Sequence, residues 1–120
     1  MKHAKRKERT PAPGELLRHD IAGVPGREFV VVRARLGPGE RSLPHHHTAP
    51  LIVYVLSGAI RSRLGDDRDR VFRAGEAFYE SAGVRHESEN ASRTRPASFL
   101  AVFAAPSSTM LTVPDAQSRA

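Results

Sequence analysis

The alternation of apolar and polar positions describes a chain of short strands. Residues 29–36, Phe-Val-Val-Val-Arg-Ala-Arg-Leu, open on β-branched side chains, pass into strict alternation and stop at Gly37-Pro38-Gly39, a strong turn signal. Residues 51–56, Leu-Ile-Val-Tyr-Val-Leu, form an apolar run that ends at Ser57-Gly58, too short for a helix bounded in this way and suited to a buried strand. Residues 59–64 alternate and close at Gly65-Asp66-Asp67, which predicts a hairpin to Val71-Phe72. After the turn at Ala74-Gly75 come a short strand over 77–79 and a last apolar one over 98–103, and 16–21 adds an edge strand. About seven to ten short strands, with no amphipathic helix among them, predict an all-β antiparallel barrel or sandwich.

A chain of 120 residues is one domain by length and large enough to bury a core without disulfides. Cysteine is absent, which excludes disulfides, thiolate nucleophiles, zinc–thiolate sites and iron–sulfur clusters; any metal must be held by nitrogen and oxygen. The formal charge of +6 suggests nucleic acid at first, but most of it comes from Lys2, Lys5, Arg6, Lys7 and Arg9 against Glu8. No aromatic residue interleaves with these charges. They read as a solvated tail over 1–14, ahead of a barrel domain over 15–113 and a flexible end over 114–120. Pro11-Ala-Pro-Gly14, rather than an apolar stretch, follows the basic residues, so they do not read as a secretory signal. No segment approaches the roughly 20 apolar residues needed to cross a bilayer. The expectation is a cytoplasmic protein without nucleic-acid or membrane partners.

Candidate chemistry lies in the histidines. His45, His46 and His47 are consecutive, and on an extended segment His45 and His47 share one face while His46 takes the other. Two imidazoles on one face are half a metal site, and His86, in a glycine-bounded turn before the last strand, can complete it across the fold.

The spacing around these residues is specific. Gly39-x5-His45-x-His47-x3-Leu51-x6-Gly58 resembles the first motif of the cupin superfamily, G-x5-H-x-H-x3,4-E-x6-G. Gly75-x5-Ser81-x-Gly83-x2-His86-x3-Asn90 resembles the second, G-x5-P-x-G-x2-H-x3-N, and the two stand in the right order. The resemblance implies a single antiparallel jelly-roll β-barrel holding one divalent metal, commonly a homodimer packed through outer strands. It places the three histidine ligands at His45, His47 and His86. Leu51 stands where the family has its glutamate ligand, and Ser81 where it has proline.

Leucine coordinates nothing, so three neutral imidazoles would leave a divalent ion its full charge and raise its attraction for anionic ligands. Such a site resembles cupin dioxygenases that hold ferrous iron by three histidines alone. The function expected is therefore a metal-dependent dioxygenase acting on a small oxygen-chelating substrate, a diketone, flavonol or catechol. Ferrous iron is the expected ion, with zinc, manganese or nickel as alternatives. Two other classes share these residues: a redox-silent metal-dependent isomerase or cyclase, and a non-catalytic metabolite-binding cupin. Lacking cysteine, the chain cannot form the cysteine–tyrosine crosslink of some thiol dioxygenases.

Other residues carry weaker signals. Val53, Val55, Phe78 and Phe103 are candidates for the apolar lining. Glu80 reads as a solvated rim charge rather than a general base. Glu87 and Glu89 are candidates for a replacement carboxylate, although alternation turns Glu87 away from His86. Arg85 is a candidate for attracting an anionic substrate, Tyr54 and Tyr79 for packing with one wet end, and Asn90 for bracing a turn. His3 and His19 read as exposed.

Overall fold

The structure is a computed structural model and describes residues 13–115. The basic residues expected to form an N-terminal tail, and the end of the chain from 116, lie outside the described residues. Pro13 and Gly14 form the turn that leads into the first strand.

Ten strands follow one another: β1 (Glu15–Asp20), β2 (Arg27–Leu36), β3 (His45–His47), β4 (Leu51–Ser57), β5 (Ala59–Leu64), β6 (Arg70–Arg73), β7 (Ala77–Glu80), β8 (His86–Asn90), β9 (Ala97–Pro106) and β10 (Thr112–Pro114). No helix occurs among the described residues. The strands form two antiparallel five-stranded sheets, one in the order β1-β2-β9-β4-β7 and the other β10-β3-β8-β5-β6. This is the all-β jelly roll that the strand pattern and the motifs predict. The expected hairpin is β5–β6, and the expected edge strand is β1.

Two elements escaped the pattern. His86 opens a strand, β8, rather than sitting in a turn, because residues 86–90 pair along β5 from Leu64 back to Ile60. The segment 112–114 pairs with His45–His47, and Asp115 continues past it with its amide bonded to the Pro44 carbonyl. A three-residue strand with no apolar alternation has no signal of its own; it is held by its partner.

Period-two alternation places the core. Along β4, Leu51, Val53 and Val55 are buried while Ile52, Tyr54 and Leu56 are exposed. Cross-strand register then stacks inward residues in rows. Val30 faces Phe103, Phe103 faces Leu51 and Leu51 faces Glu80; one step along, Val32, Ala101, Val53 and Phe78 make the next row. Leu51, Val53 and Phe103 belong to the main core cluster, and each such side chain contributes about 1.5–3 kcal/mol by leaving water. Val55 packs instead with Ile60 and Ala97 in a second cluster, against which Phe72 and Phe78 stack with ring centroids 4.3 Å apart.

Gly58 turns the chain from β4 into β5 with φ of 73°, a region L side chains rarely adopt. A Cβ there would lie 2.8 Å from the Pro96 carbonyl oxygen, which is backbone and cannot swing aside. Gly58→Ala is expected to lower the unfolding free energy by more than about 1 kcal/mol. Urea titration would register this as a reduced midpoint at unchanged slope; an unaltered midpoint would contradict the strain.

Candidate metal centre

β3 and β8 meet at a single pair of residues, His45 opposite His86, so the sheet register brings the two motifs together. Because β3 is extended, His47 turns to the same side as His45. The candidate ligand atoms of His45, His47 and His86 all lie within 4.8 Å of one another. The His45 ring centroid is 4.8 Å from that of His47 and 5.1 Å from that of His86. His46 faces the other way, its Nδ1 2.8 Å from Asp115 Oδ1, and takes no part in the cluster.

The orientation of two of the rings is set from behind. His45 Nδ1 lies 2.7 Å from the Leu43 carbonyl, and His47 Nδ1 lies 3.2 Å from the Leu111 carbonyl and 3.1 Å from Thr112 Oγ1. A carbonyl can only accept, so Nδ1 carries a proton in each ring and Nε2 is the nitrogen turned toward the cluster, the arrangement found behind metal-binding histidines. Burial pushes the His45 imidazole below its ordinary value of 6.5, which favours the neutral form a metal requires. His86 presents Nδ1 to His45 Nε2 at 3.3 Å and Nε2 to Ser62 Oγ at 2.9 Å.

A fourth group stands in the cluster, and here the sequence reading is corrected. Glu80 is not a rim charge. It is 2% exposed, with Oε1 2.9 Å from His86 Nε2 and Oε2 3.2 Å from His47 Nε2. The second contact is close but not in hydrogen-bonding geometry, and Oε2 has no hydrogen-bond partner among the described residues. Burial pushes this carboxyl up, yet the imidazoles of His47 and His86 outweigh it and hold the group down at about 2. It is thus an ionised carboxylate in the interior. A signal existed: Glu80 lies two residues after Phe78 on one short strand and must share its inward face.

Leu51, standing where the motif resemblance expects a glutamate, is buried in the core. Glu87 and Glu89 point outward, since β8 buries His86, Ser88 and Asn90 alternately with them. Glu89 is held by Arg41 at 2.8 Å and Arg61 at 2.6 Å, and Arg85 faces Glu87 at 3.3 Å. Neither carboxylate joins the histidines, and Arg85 is not part of the cavity wall. Asn90 braces a turn as expected: its amide donates to the carbonyls of Leu36, Gly37 and Arg95, and its Oδ1 accepts from the Ser92 amide. Tyr54 and Tyr79 lie on the outer face. His19 is exposed, and His3 is outside the described residues.

The three histidines, Leu51 and Glu80 line a cavity of about 510 Å³, within the range of small-molecule sites. Val53 and Phe103 contribute to its wall as expected, but Val55 and Phe78 do not; Val32, Phe99 and Ala101 take their place. Val55 is one row too far along β4, where the second core cluster fills the interior. Arg18 also reaches the wall, with its guanidinium engaged by Glu15 and Glu28.

The Cupin domain family matches residues 32–103, more than half of the chain. The chain belongs to the cupin family. Among solved structures, this cupin is similar to an uncharacterized conserved protein with a double-stranded beta-helix domain from Klebsiella pneumoniae, at 21% identity and a TM-score of 0.58 over 90% of each chain. It is also similar to salicylate 1,2-dioxygenase from Pseudaminobacter salicylatoxidans, at 17% identity and a TM-score of 0.56, over 62% of this chain and 21% of that one. Oxalate decarboxylase from Lactobacillus farciminis is similar at 20% identity and a TM-score of 0.60, over 74% and 26% respectively. At these identities the likeness concerns the fold. The chain spans less than half the length of the two enzymes, as of several other structures it resembles. No curated protein matches the sequence. A three-histidine cluster inside a cupin barrel suggests metal binding.

The outward pairing of Glu89 gives a pH test. Hydrogen bonds from Arg41 and Arg61 hold its carboxyl below the ordinary value of 4.5. A depressed folded value means the stabilisation is complete above the unfolded value and disappears as pH falls through the folded one. Glu89→Gln is therefore expected to cost a little stability at neutral pH, the modest amount of an exposed ion pair, and nothing once the Glu89 carboxyl is protonated in both the folded and the unfolded chain. Thermal melts of both proteins from pH 7 down past 4.5 would show the gap close; a gap that widens on acidification would contradict the pairing.

Proposed function

We propose that this cupin is a metal-dependent dioxygenase whose substrate is a small, mostly apolar molecule chelating through oxygen, of diketone, flavonol or catechol type. The observation that carries the reading is the convergence of His45, His47 and His86 on the wall of a mostly apolar cavity. The donors present suit the group: two imidazoles are fixed with Nε2 turned toward the cluster, and a buried carboxylate oxygen beside them lacks a hydrogen-bond partner. Ferrous iron, when bound there, supplies Lewis acidity and a redox couple for dioxygen chemistry.

The chain's own residues supply the rest. Leu43, Leu111 and Thr112 keep the imidazoles of His45 and His47 with Nε2 turned toward the cluster. Val32, Val53, Phe99 and Phe103 exclude bulk water and favour an apolar body behind the chelating oxygens. The expectation that the ion keeps its full double charge is revised, because the ionised Glu80 lies within the cluster. The preference for an anionic substrate is weaker for that reason.

Zinc, manganese and nickel suit the same donors, and with them a redox-silent isomerase or cyclase, or a non-catalytic binder, would use the same cavity. Oxygen separates the readings. Protein loaded anaerobically with ferrous iron is expected to consume dioxygen with at least one chelating substrate, and His47→Ala to lose both the iron and the uptake. Turnover that ignores oxygen would establish the redox-silent reading instead, and tight binding without turnover the binding one.

The outer face of the β4 sheet supports a homodimer. Ile52, Tyr54 and Tyr79 are 53%, 42% and 61% exposed, and Ile52 lies directly opposite Tyr79, so the apolar groups form one patch. Light scattering is expected to give twice the chain mass, and Ile52→Lys, which removes no core contact, to give the monomer. A monomeric wild type would end this part of the proposal.

A further inference from the structure

Leu51 and Glu80 are directly opposite each other across the β4–β7 ladder, and both side chains point into the cavity. The family places its carboxylate ligand at the position Leu51 holds, and this chain places a buried carboxylate one strand over. Inward neighbours across an antiparallel pair have Cβ atoms about 4.5–5.5 Å apart, so a glutamate on either strand can reach the same space.

We infer that Glu80 is the carboxylate ligand of the metal site, the role having passed from β4 to the facing residue of β7; this rests on the reading of His45, His47 and His86 as metal ligands. Three observations converge on it. The Glu80 oxygens lie 2.9 Å and 3.2 Å from the Nε2 atoms of His86 and His47, so the carboxylate abuts two of the three imidazoles. The side chain is buried, and a lone carboxylate is not tolerated there without a cation or full hydrogen bonding. Its Oε2 has a neighbouring imidazole but no hydrogen bond, an acceptor left for a ligand among the described residues.

The donor set is then three imidazoles and one carboxylate, reached without the first motif's glutamate. Glu80 would lower the net charge of an occupied site by one.

The test is the exchange of the two residues, read on metal binding rather than activity. Cobalt(II) serves as the probe, its visible absorption reporting the ligands and competition with a chelator reporting affinity. Glu80→Gln keeps the volume and removes the charge, and it is expected to weaken cobalt at least tenfold and to shift the absorption bands. The double variant Leu51→Glu/Glu80→Leu, which returns the carboxylate to β4, is expected to recover most of that affinity. Glu80→Asp serves the same comparison if Glu80→Gln does not fold, as judged by circular dichroism, and is expected to bind more weakly than wild type.

Equal affinity and identical spectra for wild type and Glu80→Gln would overturn the inference while leaving the three-histidine reading intact. Failure of the wild type to bind cobalt would overturn both. Loss in the single variant without recovery in a folded double variant would show that the carboxylate acts from its place on β7 and cannot be exchanged, which refutes the equivalence of the two positions.

Discussion

A carboxylate inside a protein must find positive charge or donors, and this requirement shapes the centre of the molecule. Glu80 is enclosed with the imidazoles of His47 and His86 against its oxygens, and those imidazoles hold it ionised against the pull of burial. The contact joins the two sheets, since Glu80 is on β7 of one and His47 and His86 on β3 and β8 of the other. The barrel thus has a polar tie between its layers where apolar packing is interrupted by the cavity. Removing either imidazole would take away one of the two ring nitrogens that stand against this carboxylate.

The cavity follows from side-chain size along β9. Phe103 and Phe99 face inward with Ala101 between them, opposite Val32 on β2 and Val53 on β4. Val32, Ala101 and Val53 are small beside the rings of Phe103 and Phe99, and the space they line adjoins the histidines. Past it, Val55, Ile60 and Ala97 pack together in the second cluster, which is why Val55 takes no part in the wall. One end of the barrel is packed for stability and the other is open for a ligand, on strands that run through both.

Much of this was legible in the residues. The histidine trio was, because period two places His45 and His47 together and two motif spacings place His86 with them. The β4 interior and the β5–β6 hairpin were, because their apolar runs end in unambiguous turns. Glu80 is hidden for a local reason: the pattern predicts a strand over 77–79, one residue short of the observed end, and a charged residue just beyond a strand reads as a rim group. Extending the alternation by a single residue turns Glu80 inward with Phe78. β10 was invisible in kind, since Thr112–Pro114 has no pattern and is a strand only because His45–His47 offers an edge.

The place of Glu80 also explains why Leu51 is tolerable in a barrel of this family. β4 is flanked on both sides, by β9 and β7, so the residue at 51 sits between Phe103 and position 80 and belongs to the main core cluster. A leucine there adds apolar contact to Phe103 that a carboxylate could not. β7 is the edge of its sheet, and Glu80 has a strand neighbour on one side only, with the opposite sheet's imidazoles above it. Apolar demand is greatest at 51 and polar partners are nearest at 80. The residues are distributed as those two demands require, leaving the core continuous across β9 and β4 and the charge beside the groups that can hold it.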